Sequence, residues 1–381
     1  MVAEVRSGAS LRSVARRHGV PLSTVQLWVA RAGDLPLDEV DWTDRSSARH
    51  RPPRIPAALE DLILDLRHEL RVTSDLGEFG AVAIHRALGE RPVPWPVPSV
   101  RTIGRALERR GALDGVRRVR RTPPHPGWYL PDLAARRVEL DSFDIVDGLY
   151  LRGMPELGIL TVTSLHGGLV GAWPDHGMRV GQILPAITGH WRRFGLPAYA
   201  QFDNDSRFLG GMRNADTLGT VIRACLALGV VPVFTPARET GFQAAVESLN
   251  WRWQAKVWAR TTDPDIASLR RRSDRWVAAV RARHAPRIEA APPRRPFPDE
   301  VVPWRMPGGR IVFLRRTGDS GGITLLGHRF HVDHHWPFRL VRAEVDLVEG
   351  RVDVFALRRR EPHDQPLLAR IDYPVPDRWR T

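Results

Sequence analysis

Three carboxylates, each in a different local setting, offer this chain its clearest chemistry. Asp141 lies in the strand-like run Val138-Glu139-Leu140-Asp141-Ser142-Phe143. Asp203 ends the apolar run Pro197-Ala198-Tyr199-Ala200-Gln201-Phe202, and Glu247 lies in the helix-like stretch from Gln243 to Asn250. Acids of this kind, brought together, can hold two hard divalent cations through oxygen ligands. Such a pair supplies what phosphodiester transfer needs: an activated nucleophilic oxygen, a stabilised pentavalent phosphorus and a leaving oxygen. Without metal the cluster is costly, because two like charges about 4 Å apart repel by roughly 4 kcal/mol at an effective dielectric of about 20. A converged triad should therefore bind metal or hold a proton. Asp144 and Asp147 are rivals for the place of Asp141, and Asp203-Asn204-Asp205 also reads as a plain Asx turn.

The elements that must position these acids alternate. Strands are expected over 136–145, over 149–152 leading to 157–164, over 167–173, over 198–202 and over 230–234. Helices are expected over 180–193, 216–228, 242–259 and 266–284. This pattern predicts a mixed sheet with helices on its faces. Trp251, Trp253 and Trp258 read as packing residues rather than base-stacking platforms.

Ahead of this region, residues 8–32 read as a helix-turn-helix. Ser10 caps the first helix, Gly19 breaks it, and Ser23, Gln26 and Arg31 are the outward contacts of the second. The competing reading is a generic helical hairpin. A second helical unit follows, with Leu59, Leu62, Ile63, Leu66 and Leu70 at helical spacing. Its last helix, capped by Ser99, carries Arg101, Arg105, Arg109 and Arg110 on its outer side. Arg117, Arg118, Arg120 and Arg121 then lead into the proline run before Gly127, a basic tether in which no helix survives. Beyond a Pro-rich stretch over 286–307, strands expected over 311–314, 323–326, 328–332, 338–344, 351–357 and 367–373, with glycine turns between them, suggest a small β-barrel. The expected domains are 1–50, 55–115, a linker over 116–130, 131–285, a linker over 286–307, and 308–381.

Charge is distributed to match. The chain of 381 residues has a net charge of +14. Residues 101–130 carry eight Arg against two acids, and 251–316 carry sixteen Arg or Lys against six acids, while the remainder is close to neutral. Two basic zones flanking an acidic triad suit a polyanion-binding protein, since neutralised phosphates release counterions. Arg207, Arg252 and Lys256 are further candidate DNA contacts. Cys225 is the only cysteine, so intrachain disulfides are excluded and a reducing cytoplasm fits. No apolar run reaches membrane-spanning length, and no signal peptide is read at the N-terminus. His328, His331, His334 and His335 with Asp333 invite a zinc reading, but structural zinc usually recruits thiolates; polar strand positions are the simpler account.

In this order and these settings, with Asp203 in Asp-Asn-X-X-X-Phe, the acids resemble the integrase-type core of DDE transposases. Helix-turn-helix units before the core and a basic β-barrel after it are similar to those of bacterial insertion-sequence transposases and the retroviral integrase superfamily. The resemblance implies a multidomain fold: N-terminal all-α helix-turn-helix units, a central α/β RNase H-like mixed sheet and a C-terminal small β-barrel. It implies that Asp141 and Asp203 bridge two ions, Mg²⁺ or Mn²⁺, and that Glu247 holds the second. Water then cuts at the element end, and the freed 3′-hydroxyl attacks target DNA in line. The implied partners are double-stranded DNA, both element ends and target, and further copies of the chain, without a membrane, in the bacterial cytoplasm at the nucleoid. Asp205 departs from the pattern, standing where relatives usually have Gly, and Gln254 stands where they often have a basic residue. The alternatives are a transposase-derived DNA-binding regulator that no longer cuts, and an RNase H-like nuclease without strand transfer.

Overall fold

The computed structural model of the chain describes residues 1–43, 55–113, 126–211, 215–237, 239, 241–260, 263–299 and 308–376. Arg117, Arg118, Arg120 and Arg121 lie outside these residues. Two units are distinguished, Met1–Pro56 and Ala57–Thr381.

The first unit contains helices α1 (Val2–Arg6), α2 (Leu11–His18) and α3 (Leu22–Ala32). Ser10 caps α2 by accepting the Ser13 amide, and Gly19 ends it in the left-handed conformation that glycine adopts without Cβ strain. Val14, Ala15 and Val25 form the seam between α2 and α3. Ser23 and Gln26 are exposed, as an outward face requires. Arg31 is not outward: its guanidinium lies 5.1 Å from the Trp28 ring and 3.4 Å from Asp41, so the ring and the acid hold it against the unit.

In the second unit, α4 (Ala57–Thr73), α5 (Ala81–Gly89) and α6 (Val100–Arg109) pack together through Leu59, Ile63, Leu66, Ile84, Leu88, Ile103 and Leu107. Ser99 caps α6 at the Thr102 amide. Arg101 and Arg105 remain exposed, whereas Arg109 pairs with Glu60. A short helix α7 (Pro131–Ala134) leads into the sheet.

The sheet begins with β1 (Leu140–Leu149), β2 (Leu157–Ser164) and β3 (Val170–His176) as an antiparallel meander. Helix α8 (Val180–Phe194) crosses over to β4 (Tyr199–Phe202), which pairs parallel to β1; α9 (Ser206–Leu209) and α10 (Thr220–Ala227) then lead to β5 (Val231–Phe234), parallel to β4. Helices α11 (Ala244–Lys256) and α12 (Ile266–Glu289) follow. The remaining strands are β6 (Arg310–Arg316), β7 (Gly322–Leu325), β8 (His328–His331), β9 (Leu340–Asp346), β10 (Arg351–Ala356) and β11 (Leu367–Asp372). Among the described residues the large sheet has nine strands in the order β11-β10-β9-β6-β5-β4-β1-β2-β3, with β7-β8 as a separate hairpin.

Two expectations change here. The C-terminal strands do not stand apart as a barrel. β6 pairs with β5 at Val233–Val312 and Phe234–Phe313, and Phe234 stacks on Phe313, so one sheet and one core run through both regions. Helix α12 also outruns its expected end at 284, continuing through Pro286 to Glu289. An interior proline costs a helix about 3 kcal/mol. Here the last turns are tied down by Arg287, which donates to the carbonyls of Leu165 and His166, and by His284 bonded to the Gly168 carbonyl.

The sheet has a core on each face. Phe143, Leu160, Val162 and Phe202 pack with Ile183, Ile187 and Trp191 of α8. Leu157 and Ile159 pack on the opposite face with Leu249 and Trp253 of α11 and Trp276 of α12. Side chains alternate between faces along a strand, so each strand residue is assigned to one helix layer or the other.

Candidate functional site

That alternation separates the acids of β1. Asp141 shares the face of Phe143, toward α8, and is fully buried. Trp191 Nε1 donates to its Oδ2 at 3.0 Å, and Arg294 Nη1 donates to the same oxygen at 3.0 Å while Nη2 bonds Oδ1. Burial works against the charge on Arg294, but Asp141 outweighs it and holds the guanidinium above its ordinary pKa. The neighbouring His190 stands 3.9 Å from Asp141, and burial pushes its pKa down to about 3, so the imidazole is neutral. Asp141 is thus the anionic half of a buried ion pair that fastens the segment after α12 to the sheet. It does not meet Glu247, which is carried on the other face.

Asp144 does face α11. It is paired across the sheet with Thr161, and Asn250 of α11 bridges the two: Asn250 Nδ2 donates to Asp144 Oδ2 at 2.6 Å, and the Thr161 hydroxyl donates to Asn250 Oδ1 at 2.5 Å. The parallel register of β1 on β4 aligns Ser142 with Gln201, and Asp203, the residue after β4, lies near enough to Asp144 for its charge to act on that carboxyl. Burial, then the charge of Asp203, then more weakly that of Glu247, push the Asp144 carboxyl up to about 6, against the opposing bond from Asn250. Burial also raises Asp203, and Asp205 adds to this, although the Asp205 amide donates to Asp203 Oδ1 at 3.1 Å. Glu247 sits exposed in the first turn of α11. Among the described residues, no three His, Cys, Asp or Glu side chains are grouped closely enough to hold a metal ion.

The loop after β4 is held from two sides. Asp205 caps α9 and, with Asp147 at the far end of β1, binds both edges of the Arg207 guanidinium. Arg207 is therefore spent on a bridge between β1 and this loop, and Asp205 supplies its anchor. From the other side comes Arg315 of β6. Its Nη2 donates to Asn204 Oδ1 at 2.9 Å and its Nη1 to the Thr235 carbonyl at 3.3 Å, while Asn204 Nδ2 donates to that carbonyl at 2.7 Å. Burial lowers this guanidinium to about 10. Sequence reading did not single out Arg315; its distance of 111 residues from Asn204 leaves no local signal.

A cationic layer lies beside α11. Arg252 is half-buried, and burial, with Arg283 and Arg287 nearby, lowers its pKa. Lys256 Nζ lies 5.2 Å from the Phe79 ring, and Arg260 donates to the carbonyls of Arg71, Val72 and Ser74, closing the C-terminal end of α4. A cleft of about 440 Å³ between α4 and α12 is lined by Arg260, Arg271, Arg272 and Arg275 together with Lys256. The histidines after β7 do not gather into one cluster: His328 bonds Asp216 at 2.8 Å, while the His334 and His335 rings lie against each other at a tilt.

No protein-family model matches the chain, and no curated protein matches it. Among the solved structures it is similar to are retroviral integrases. The catalytic core domain of BIV integrase is 16% identical, with a TM-score of 0.29 over 37% of this chain and 81% of that one. The HTLV-2 integrase catalytic core domain in complex with magnesium is 11% identical, with a TM-score of 0.27 over 40% of this chain and 86% of that one. A simian T-cell lymphotropic virus intasome in complex with the PP2A regulatory subunit B56 gamma is 11% identical, with a TM-score of 0.31 over 78% of this chain and 96% of that one. Likeness of this grade transfers neither an activity nor a residue role. The chemistry has to come from the geometry of the chain itself.

Proposed function

We propose that the protein is a DNA transposase or integrase of the DDE type, with Asp144, Asp203 and Glu247 as its acids. The single observation that carries this is the shared sheet face: Asp144 beside Asp203, under the helix that presents Glu247, with their charges acting on one carboxyl. The donor set is all oxygen, and two acids held at raised pKa fit a hard divalent cation that relieves their repulsion. When bound, a pair of Mg²⁺ or Mn²⁺ ions supplies charge neutralisation at the phosphate and acidifies a water. Asp144 on β1, Asp203 after β4 and Glu247 on α11 are the residues that would hold these ions. Asn250 orients Asp144, and Arg315 with Asn204 positions the loop of Asp203. The proposed reaction is hydrolysis at an element end, followed by attack of the freed 3′-hydroxyl on target DNA. The first unit, the exposed Arg101 and Arg105 of α6, and the basic layer at α11 and α12 would hold the DNA, in an assembly of several copies.

The test is a nicking and joining assay on DNA flanking the gene, with the purified chain and Mg²⁺ or Mn²⁺. The expected result is nicked and joined product, abolished in Asp203→Asn with DNA affinity retained. Binding without nicking in the parent would make the protein a regulator instead, and nicking without joining would make it a nuclease.

DNA binding should also be steep in salt. Six to ten phosphate contacts lose about 10³–10⁵ in affinity between roughly 50 and 200 mM salt. Fluorescence anisotropy across that range reads the slope, and a flat response removes the basic regions as DNA contacts.

A further inference from the structure

The tryptophans of α11 and of the turn that follows it do not share one fate. Trp253 is fully buried and bonds Ser273 through its indole N–H, and Trp258 packs against the same core. Trp251 is 61% exposed, which a packing role does not account for. It lies one helical turn beyond Glu247, on the same exposed stripe, which continues through Ser248 and Ala255. Ser248 and Ala255 beside it are small, and the indole stays open to solvent. Next to it, Arg252 is half-buried among Arg283, Arg287 and the acid Glu78. The stripe is not a contiguous apolar patch: Glu247 and Ser248 interrupt it, which disfavours a protein partner.

A ligand that puts a flat ring on an indole and a phosphate beside a carboxylate site one turn away is a nucleotide chain. A helical turn advances about 5.4 Å, and bases in a strand are spaced by about 3.4 Å, so adjoining nucleotides span the two residues. Paired bases inside a duplex hide both faces in the stack, so away from the terminal pair the indole can take only a base freed from it. We propose that Trp251 is a stacking platform for an unpaired nucleobase next to the phosphate at the acids, which gives the protein a preference for frayed DNA ends. This rests on the reading of Asp144, Asp203 and Glu247 as the DNA-cutting site.

The test uses the full chain in a metal-free buffer of fixed salt. The probes are a blunt DNA duplex of arbitrary sequence, and the same duplex with mispaired terminal bases, one of them 2-aminopurine. The parent is expected to prefer the frayed probe and to quench its 2-aminopurine. Trp251→Ala should bind that probe about tenfold more weakly, lose the quench and bind the blunt duplex as before, with an unchanged salt slope. Trp251→Phe should keep most of the preference. Because Trp251 is exposed, both variants should melt like the parent. Undiminished preference or quench in Trp251→Ala overturns the platform while leaving the site reading intact. So does a change in sedimenting mass, which would show that a second copy covers the indole. A parent that binds neither probe overturns both.

Discussion

Asp144→Asn is expected to abolish nicking and at the same time to make the metal-free protein more stable. The Asp144 carboxyl is pushed from its ordinary 3.8 up to about 6, by burial first and the charge of Asp203 second. Each unit of such a shift is worth 1.36 kcal/mol. Ionised Asp144 therefore costs the folded state about 3 kcal/mol, an order-of-magnitude figure that holds above pH about 6. Between about pH 4 and 6 the folded chain holds a proton that the unfolded chain has released. Stability from this group is full below the unfolded value and declines as pH rises through the folded one. Asparagine has the same shape and can still accept from Asn250, but carries no charge, so the variant should lack this decline and melt several degrees higher at neutral pH. Divalent ions should raise the melting temperature of the parent and leave that of the variant nearly unmoved. Thermal melts across pH, with chelator or with Mg²⁺, and the nicking assay read all of this. A variant that still nicks, or that melts along the parental pH profile, removes Asp144 from the site.

Asp141→Asn is expected to do the opposite. It leaves the buried Arg294 without a counter-ion, and breaking a buried pair from one side costs about 3–5 kcal/mol. The variant should unfold at distinctly lower urea, while the fraction that remains folded nicks at the parental rate. Replacing both partners, Asp141→Asn with Arg294→Met, should recover much of the loss, because no charge is then stranded. Urea titrations of the two single variants and the double variant give the coupling energy. An Asp141→Asn protein that melts like the parent but cannot nick would return Asp141 to the catalytic role and displace Asp144.

The two acids are three residues apart, and no feature of the local sequence tells them apart. Strand alternation puts residues 141 and 144 on opposite faces, but both faces of β1 are buried, so there is no polar side to reveal which one the reactive helix covers. Glu247 could be read as a helix charge and Asp203 as the end of a strand, because those settings are local. The partner of Asp141 lies 153 residues away, and nothing near Asp141 hints at it. Trp251 misled for a related reason. Its helix has apolar residues nearly all round, and only the packing of α11 on the sheet leaves one indole in solvent while burying the next.

What the sequence determined by itself was therefore the kind and order of the elements: capped helices, a strand meander followed by alternating helix and strand, six further strands, and two basic zones. These follow from periodicity, capping and turn chemistry, all of which act within a few residues. Only the tertiary structure decided that Asp144 and not Asp141 lies beside Asp203, and that the C-terminal strands extend the central sheet so that Arg315 can reach the loop of Asp203. Those outcomes depend on which layer covers which face and which edge accepts the next strand. They are set by contacts between segments far apart in the chain, for which the local pattern carries no signal.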